Sequence, residues 1–213
     1  MNDVVLTIIA GGLGRYLREH GYPTDGVALR TMCPVSLRRP EEHDSLGNLV
    51  SMMIAPLFVG IADPVERLAA QRRAMEELKA QDQARSFDDL NAMGGVIPPI
   101  WQAIAGQLPV SVTVLNTVTT NVPGPQVPLY LMGRKLLHWY PLGPLSARIG
   151  IFNAILTYNH VLTIGATVDP ALVPDAWRYM RCLKDAFEEL RLAARPAVAA
   201  VPPAAVTAAP QAA

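Results

Sequence analysis

The chain has no surplus of charge of either sign: 18 Lys and Arg stand against 18 Asp and Glu, a formal net charge of +0. No basic block is longer than a pair such as Arg38-Arg39 or Arg134-Lys135, so the chain lacks the cationic face that neutralising nucleic-acid phosphates requires. Cysteine is almost absent. Cys33 and Cys182 form no metal or redox spacing and read as inert core thiols in a reducing compartment. Histidine is also scarce, and no two histidines are adjacent. His20, His43, His138 and His160 each read as structural, and a Cys33–His43 nucleophile pair rests only on both being present. Charged residues make up 17% and hydrophobic ones 51%, which excludes disorder over most of the chain. Met1 leads directly into Asn2-Asp3 without a basic region or a cleavage site, so the expectation is a chain without a signal peptide, in the cytoplasm.

The uncharged stretch from Ser45 to Ala62 approaches membrane-spanning length, but Gly47, Asn48, Pro56 and Gly60 interrupt it, and a buried strand is the better reading. Asn2 and Asp3 are good N-caps, and Leu6, Ile9, Leu13 and Leu17 continue at helical spacing, which predicts an amphipathic helix ending near His20-Gly21. Gly11, Gly12 and Gly14 lie inside that helix, so they are not a phosphate loop; the first two imply close packing against another element. Strands are predicted over residues 30–37 and 49–59.

Asp63-Pro64-Val65-Glu66 predicts a helix start with proline at its first position. Val65, Leu68, Met75 and Leu78 form its expected apolar face, and Glu66, Arg67, Arg72, Arg73, Glu76 and Lys79 its solvated one. A second helical stretch is expected over residues 86–107. Residues 90–133 carry no charge and are expected to be shielded from water. Within them, residues 112–120 read as a strand that Asn121-Val-Pro-Gly-Pro125 stops. Residues 149–157 and 161–168 read as a strand pair turning at Tyr158-Asn159-His160. A terminal helix from about Val173 places Trp177, Met180, Leu183, Phe187 and Leu190 on one face, toward the sheet. After Arg195 the composition predicts a disordered tail, 195–213.

Neither a carboxylate pair nor a metal-ligand spacing stands out, and chemistry alone yields no complete active site. The order of the segments is more specific. Asn2-Asp-Val-Val-Leu6 opening a helix, Leu46-Gly-Asn48 opening a strand, Asn121-Val-Pro-Gly-Pro125 after a Thr-rich strand, Tyr158 at a hairpin turn, and Asp169 before a terminal helix occur in sequence. Over residues 1–194 the chain resembles the C-terminal half of the bifunctional wax ester synthase/diacylglycerol acyltransferase family. His160 departs from the small turn residue that the resemblance leads one to expect.

The resemblance implies an α/β fold, half of a chloramphenicol-acetyltransferase-like, CoA-dependent acyltransferase: a mixed sheet packed with helices. It implies transfer of a fatty acyl group from acyl-CoA, as co-substrate, to diacylglycerol or a long-chain alcohol, with no bound cofactor or metal. The family's His-His-x-x-x-Asp-Gly base belongs to the N-terminal half and is not in this sequence, so a truncated or split chain, inactive alone, is expected. Supporting roles fall to Asn2 and Asp3 at the active-site floor, Gly47 and Asn48 at a strand start, and Asn121, Pro123, Gly124 and Pro125 beside the substrate channel. Helix capping, a loop exit and a stiff turn are their respective local roles. Val96 to Trp101, Trp139 and Tyr140 are candidate apolar walls or ordinary core, and Arg38, Arg39, Arg134 and Lys135 meet CoA phosphates or simply solubilise. Expected partners are acyl-CoA, a lipid acceptor, and an N-terminal catalytic half or a second copy. Any membrane contact, at the inner membrane surface or lipid bodies, is peripheral. A non-catalytic lipid-binding or partner module is the competing reading, and a gene remnant the third.

Overall fold

The computed structural model describes residues 2–36, 50–80, 115–145 and 149–194. Its order is α1 (Asn2–Glu19), β1 (Leu29–Ser36), β2 (Val50–Leu57), α2 (Pro64–Ala80), β3 (Thr117–Pro123), β4 (Tyr130–Leu131), β5 (Arg134–Lys135), β6 (Ile151–Tyr158), β7 (Val161–Val168) and α3 (Ala176–Ala193). Five strands form a mixed sheet ordered β2-β1-β3-β6-β7. The central pairings β1/β3 and β3/β6 are parallel, and β2 and β7 close the sheet antiparallel at its edges. The expected α/β class and mixed sheet are observed. The expected 86–107 helix, the 195–213 tail, Gly47, Asn48, Val96 to Trp101, Arg38, Arg39 and His43 lie outside the described residues.

The spacing predicts an amphipathic α1, and the structure instead buries its middle on every face. Every residue from Val5 to Gly14 is buried, because α1 has neighbours on all sides. The glycines do what the sequence implies: a Cβ on Gly12 would stand 2.6 Å from Leu183 Cδ2 and 2.8 Å from Leu183 Cα, and one on Gly11 would strike the Arg67 guanidinium. Helix α3 therefore lies directly against α1, antiparallel to it. Arg15 pairs with Asp185 and Glu189, Arg178 with Glu19, and Tyr16 meets Tyr179 edge-on at 5.7 Å. The core between helices and sheet joins Ile9, Leu13, Leu57, Ile155 and Leu183.

Two helix faces differ from expectation. On α2 the packed residues are Arg67, Gln71 and Met75, while Val65 is exposed. Arg67, assigned by sequence to the solvated side, is 2% exposed. Its guanidinium donates to Thr7 O (3.2 Å), Ile61 O (2.8 Å) and Ala62 O (3.0 Å) and lies 4.0 Å from a Glu189 oxygen. Desolvation lowers its pKa and Glu189 opposes that shift, yet an arginine stays charged at any ordinary pH. On α3 the buried face is Tyr179, Cys182, Leu183, Ala186 and Leu190, so Trp177, at 83% exposure, and Phe187 stand outside it. Met75, Leu78, Met180, Leu183 and Leu190 pack as the spacing predicts, whereas Val65, Trp177 and Phe187 do not, and Arg67 takes a core position because backbone acceptors meet its long polar side chain.

The start of α2 is as predicted: Asp63 Oδ1 accepts from Val65 N (2.9 Å) and Glu66 N (2.8 Å), an N-cap. Strand β3 does not stop at Asn121. It runs to Pro123, pairing Asn121 with Ile155 and Pro123 with Thr157, since an extended proline costs a ladder only its missing N–H. The β6–β7 turn places Asn159 (φ 46°) and His160 (φ 64°) at its centre, the positive-φ pair that a two-residue hairpin requires.

Replacing Gly12 with Ala would stabilise an isolated helix by about 1 kcal/mol. Here the methyl meets Leu183 backbone, and Gly12→Ala is expected to destabilise the fold by about 1–3 kcal/mol, read as a lower urea midpoint at unchanged slope. Arg67→Ala leaves three carbonyls without their donor and a cavity behind it, for an expected loss of about 2–4 kcal/mol in the same titration.

Candidate functional site

The carboxyl ends of parallel strands are where open α/β sheets carry their sites. At that end of β3, Asn121 Nδ2 donates to Asn2 Oδ1 at 2.5 Å, across 119 residues of sequence. Two of the residue groups singled out by sequence are thereby in contact. Asp3 follows in the first turn of α1. Its Oδ1 is buried without a hydrogen-bond partner among the described residues.

The Asn121–Pro125 segment is fixed to the β6–β7 turn. Gly124 N donates to Thr157 Oγ1 at 3.2 Å, and a Cβ on Gly124 would collide with Thr157 O. Asn159 N donates to Pro125 O at 3.0 Å. Gln126 bridges the same two elements: its Nε2 donates to Gly124 O (2.8 Å) and Thr157 Oγ1 (3.1 Å), and its Oε1 accepts from His160 N (3.0 Å). Pro123 and Pro125 stiffen the intervening chain. Gln126 and Thr157 are site residues that sequence reasoning missed, and nothing local in the sequence marks either.

Beside this end, α1, β7 and α3 enclose a groove of about 630 Å³, within the size range of small-molecule sites. Val4, Ile8, Leu162, Ile164, Met180 and Phe187 give it apolar walls, and His160 and Lys184 are its titratable residues. Trp139 and Tyr140, the expected wall residues, do not line it. Trp139 meets Tyr158 at 6.1 Å, and Tyr140 is exposed.

A second cleft of about 510 Å³ lies at the opposite end of β3 and β6, lined by Tyr16, His20, Asn116, Gly150, Leu172 and Pro174 among others. Tyr16 OH donates to Asp175, and His20 Nε2 lies 3.4 Å from the same carboxylate. Burial and the Asp175 hydrogen bond raise the Tyr16 pKa, so this phenol remains a donor at neutral pH. The Tyr16 hydrogen bond holds the Asp175 carboxyl below its usual range. That arrangement joins the end of α1 to the start of α3 and offers neither an activated nucleophile nor a free base.

The thiols are equally inert. Burial pushes Cys33 up to about 12, and burial with the neighbouring Glu19 pushes Cys182 up to about 11. Since the thiolate is the reactive form, neither cysteine is expected to react with a disulfide reagent at pH 8 in the folded protein, and both are expected to react in denaturant. Rapid labelling of Cys33 in the native state would restore it as a nucleophile candidate. No helix among the described residues is long and apolar enough to cross a membrane, and no metal-holding cluster occurs among them.

A family model described as the WS/DGAT C-terminal domain matches residues 46–191. A Mycobacterium tuberculosis protein named "Probable diacyglycerol O-acyltransferase tgs1" is 33% identical over 194 residues, covering 89% of this chain and 42% of that protein. A Mycobacterium bovis protein carrying the same activity in its name matches to the same extent. The solved wax ester synthase/diacylglycerol acyltransferase from Marinobacter aquaeolei superposes with a TM-score of 0.69 at 26% identity, over 90% of this chain and 43% of that one. The chain thus spans less than half the length of the relatives it matches. It belongs to the wax ester synthase/diacylglycerol acyltransferase family, of which it is the C-terminal domain.

Proposed function

We propose that residues 1–194 form the C-terminal half of an O-acyltransferase that moves a fatty acyl group from acyl-CoA to diacylglycerol or a long-chain alcohol. The observation that carries this reading is the apolar groove standing beside the Asn2–Asn121 pair at the carboxyl ends of β3 and β6. A long acyl chain needs a lining of that kind, and the reacting ester needs polar groups at its mouth. Asn2, Asp3, Asn121, Pro123, Gly124 and Pro125 are assigned to orienting the substrates, and Gly47 and Asn48, which lie outside the described residues, keep the same expected role.

In the reaction the acceptor hydroxyl oxygen bonds to the thioester carbonyl carbon, the carbon–sulfur bond breaks, and the proton passes through a general base to the departing CoA sulfur. The base is the His-His-x-x-x-Asp-Gly histidine of a companion half, because the described residues beside the groove hold no histidine oriented by a partner. A second reading, a lipid-holding module without catalysis, draws on the same groove, whose walls are apolar whether or not chemistry follows.

The chain supplied with long-chain acyl-CoA and diacylglycerol is expected to form no ester alone, and to form it when co-expressed with the histidine-bearing half of a relative. Asn121→Ala is expected to lower the rate of that assembly by roughly 100-fold through misplacement of the reacting groups, with the melting temperature unchanged. Ester formation by the chain alone overturns the division of labour. Retention of lipid by an assembly that forms no ester establishes the second reading.

A further inference from the structure

The two edges of the five-stranded sheet are finished differently. At one edge, β2 carries Pro56, and Gln71 of α2 donates through Nε2 to Pro56 O at 2.9 Å, so a proline and a side chain from the helix layer blunt that strand. At the other edge stands β7, whose residues 161–168 read VLTIGATV, without a proline or a charge. It pairs with β6 along its whole length without a bulge, and among the described residues no other backbone hydrogen bond reaches it. Alternate N–H and C=O groups along its outer side are therefore open.

From Ile164 to Val168 both faces of β7 are covered, so the edge is its bare part. On the helix side Ile164, Ala166 and Val168 pack against the core. On the other side a Cβ at Gly165 would stand 2.2 Å from Pro141 O, which places the chain at Pro141 directly over the strand. Beside the edge the helix layer is apolar: Leu162 and Phe187 are 39% and 46% exposed and share the groove with Met180. A long, unbulged, uncharged edge next to an apolar ledge is the combination that natural monomers design against.

We infer that β7 is the seam at which two copies of this chain join, edge to edge and antiparallel about a twofold axis, so that their sheets become continuous with α3 of each copy on the same side. The edge itself specifies a second copy as its occupant. One symmetry operation satisfies the open groups of both strands at once, and uncharged residues place no like charges opposite each other. The area is sufficient. An eight-residue edge is about 27 Å long, and a sheet with its helix layer is about 20 Å deep. Each copy thus buries about 500 Å², and the pair about the 1,000 Å² that a specific interface needs. Leu162, Met180 and Phe187 then face the second copy instead of water. The inference is independent of the acyl-transfer reading, because the sheet edge carries it whether or not the groove holds an acyl chain.

The test is sedimentation equilibrium of the full chain over a wide range of concentration, with backbone hydrogen exchange measured at both ends of the range. The expected mass is twice 23.0 kDa. Alternate amides of β7 are expected to exchange more slowly as the dimer forms, and those of β2 to stay as they are. Leu162→Lys, which puts a charge where the second copy lies, is expected to weaken the dimer by at least about tenfold. Val65→Lys, at an exposed position of α2 beside the opposite edge, is expected to leave it unaltered, and both variants to keep the parent's circular dichroism. If Leu162→Lys fails to fold, the exchange pattern of the parent decides alone. A monomer at every concentration, a dimer that Leu162→Lys leaves as tight, or protection that arises away from β7 overturns the inference. So does protection of β7 that arises only on adding the histidine-bearing half of the Mycobacterium tuberculosis relative, since the edge then belongs to the companion half.

Discussion

At Gly12 the Leu183 backbone comes nearer to α1 than any side chain would allow, and that approach fixes the layer of helices on the sheet. Gly11 gives the Arg67 guanidinium its slot, and Gly14 accepts the Val59 carbonyl just after β2. A helix met by backbone at Gly12 and Gly14 and by the Arg67 guanidinium at Gly11 has one position only. Because α1 cannot slide or rotate, its first residue arrives at Asn121, and the functional end of the sheet is set by packing that occurs two to three turns away.

A line of polar groups crosses the core beneath α1 and ties the strands to α3. Thr31 Oγ1 donates to Thr119 Oγ1 at 2.8 Å between β1 and β3. Thr117 Oγ1 donates to Ile151 O at 2.7 Å and accepts from Asn153 Nδ2 at 3.3 Å, and Asn153 Oδ1 accepts from Tyr179 OH at 2.9 Å. Buried polar groups cost several kcal/mol unless paired. These are paired, and a one-residue slip of β3 against β6 would unpair them. The sheet register therefore rests on hydrogen bonding as well as on the hydrophobic pattern.

The elements with local chemistry were legible in the sequence: the Asp63 cap, the Asn159-His160 turn, the glycines that announced a close neighbour, and the ordered motifs that pointed to the family. The faces of α2 and α3 were legible only in part: Met75, Leu183 and Leu190 are buried as their spacing indicates, but Arg67 finds three carbonyl acceptors that only the assembled fold supplies, and Trp177 is exposed among the described residues despite its hydrophobicity. Asn2 and Asn121 could each be named from motif order, but their contact spans 119 residues and no local pattern encodes it. Gln126 and Thr157 escaped notice for the same reason. The exposed β4 ran against the rule that uncharged stretches are buried, a rule that holds only when the whole molecule's surface is counted.

The antiparallel contact of α1 with α3 also sets the order in which the molecule can be completed. Residues 2–19 and their packing partner, residues 176–193, stand at opposite ends of the described residues, and β1 pairs with β3, whose partner residues lie 86 positions further on. Long-range closures of this kind are slow. Until α3 is in place, the buried face of α1 that it covers lacks its neighbour, so the two most separated elements of the domain must meet before this apolar helix is shielded from other chains.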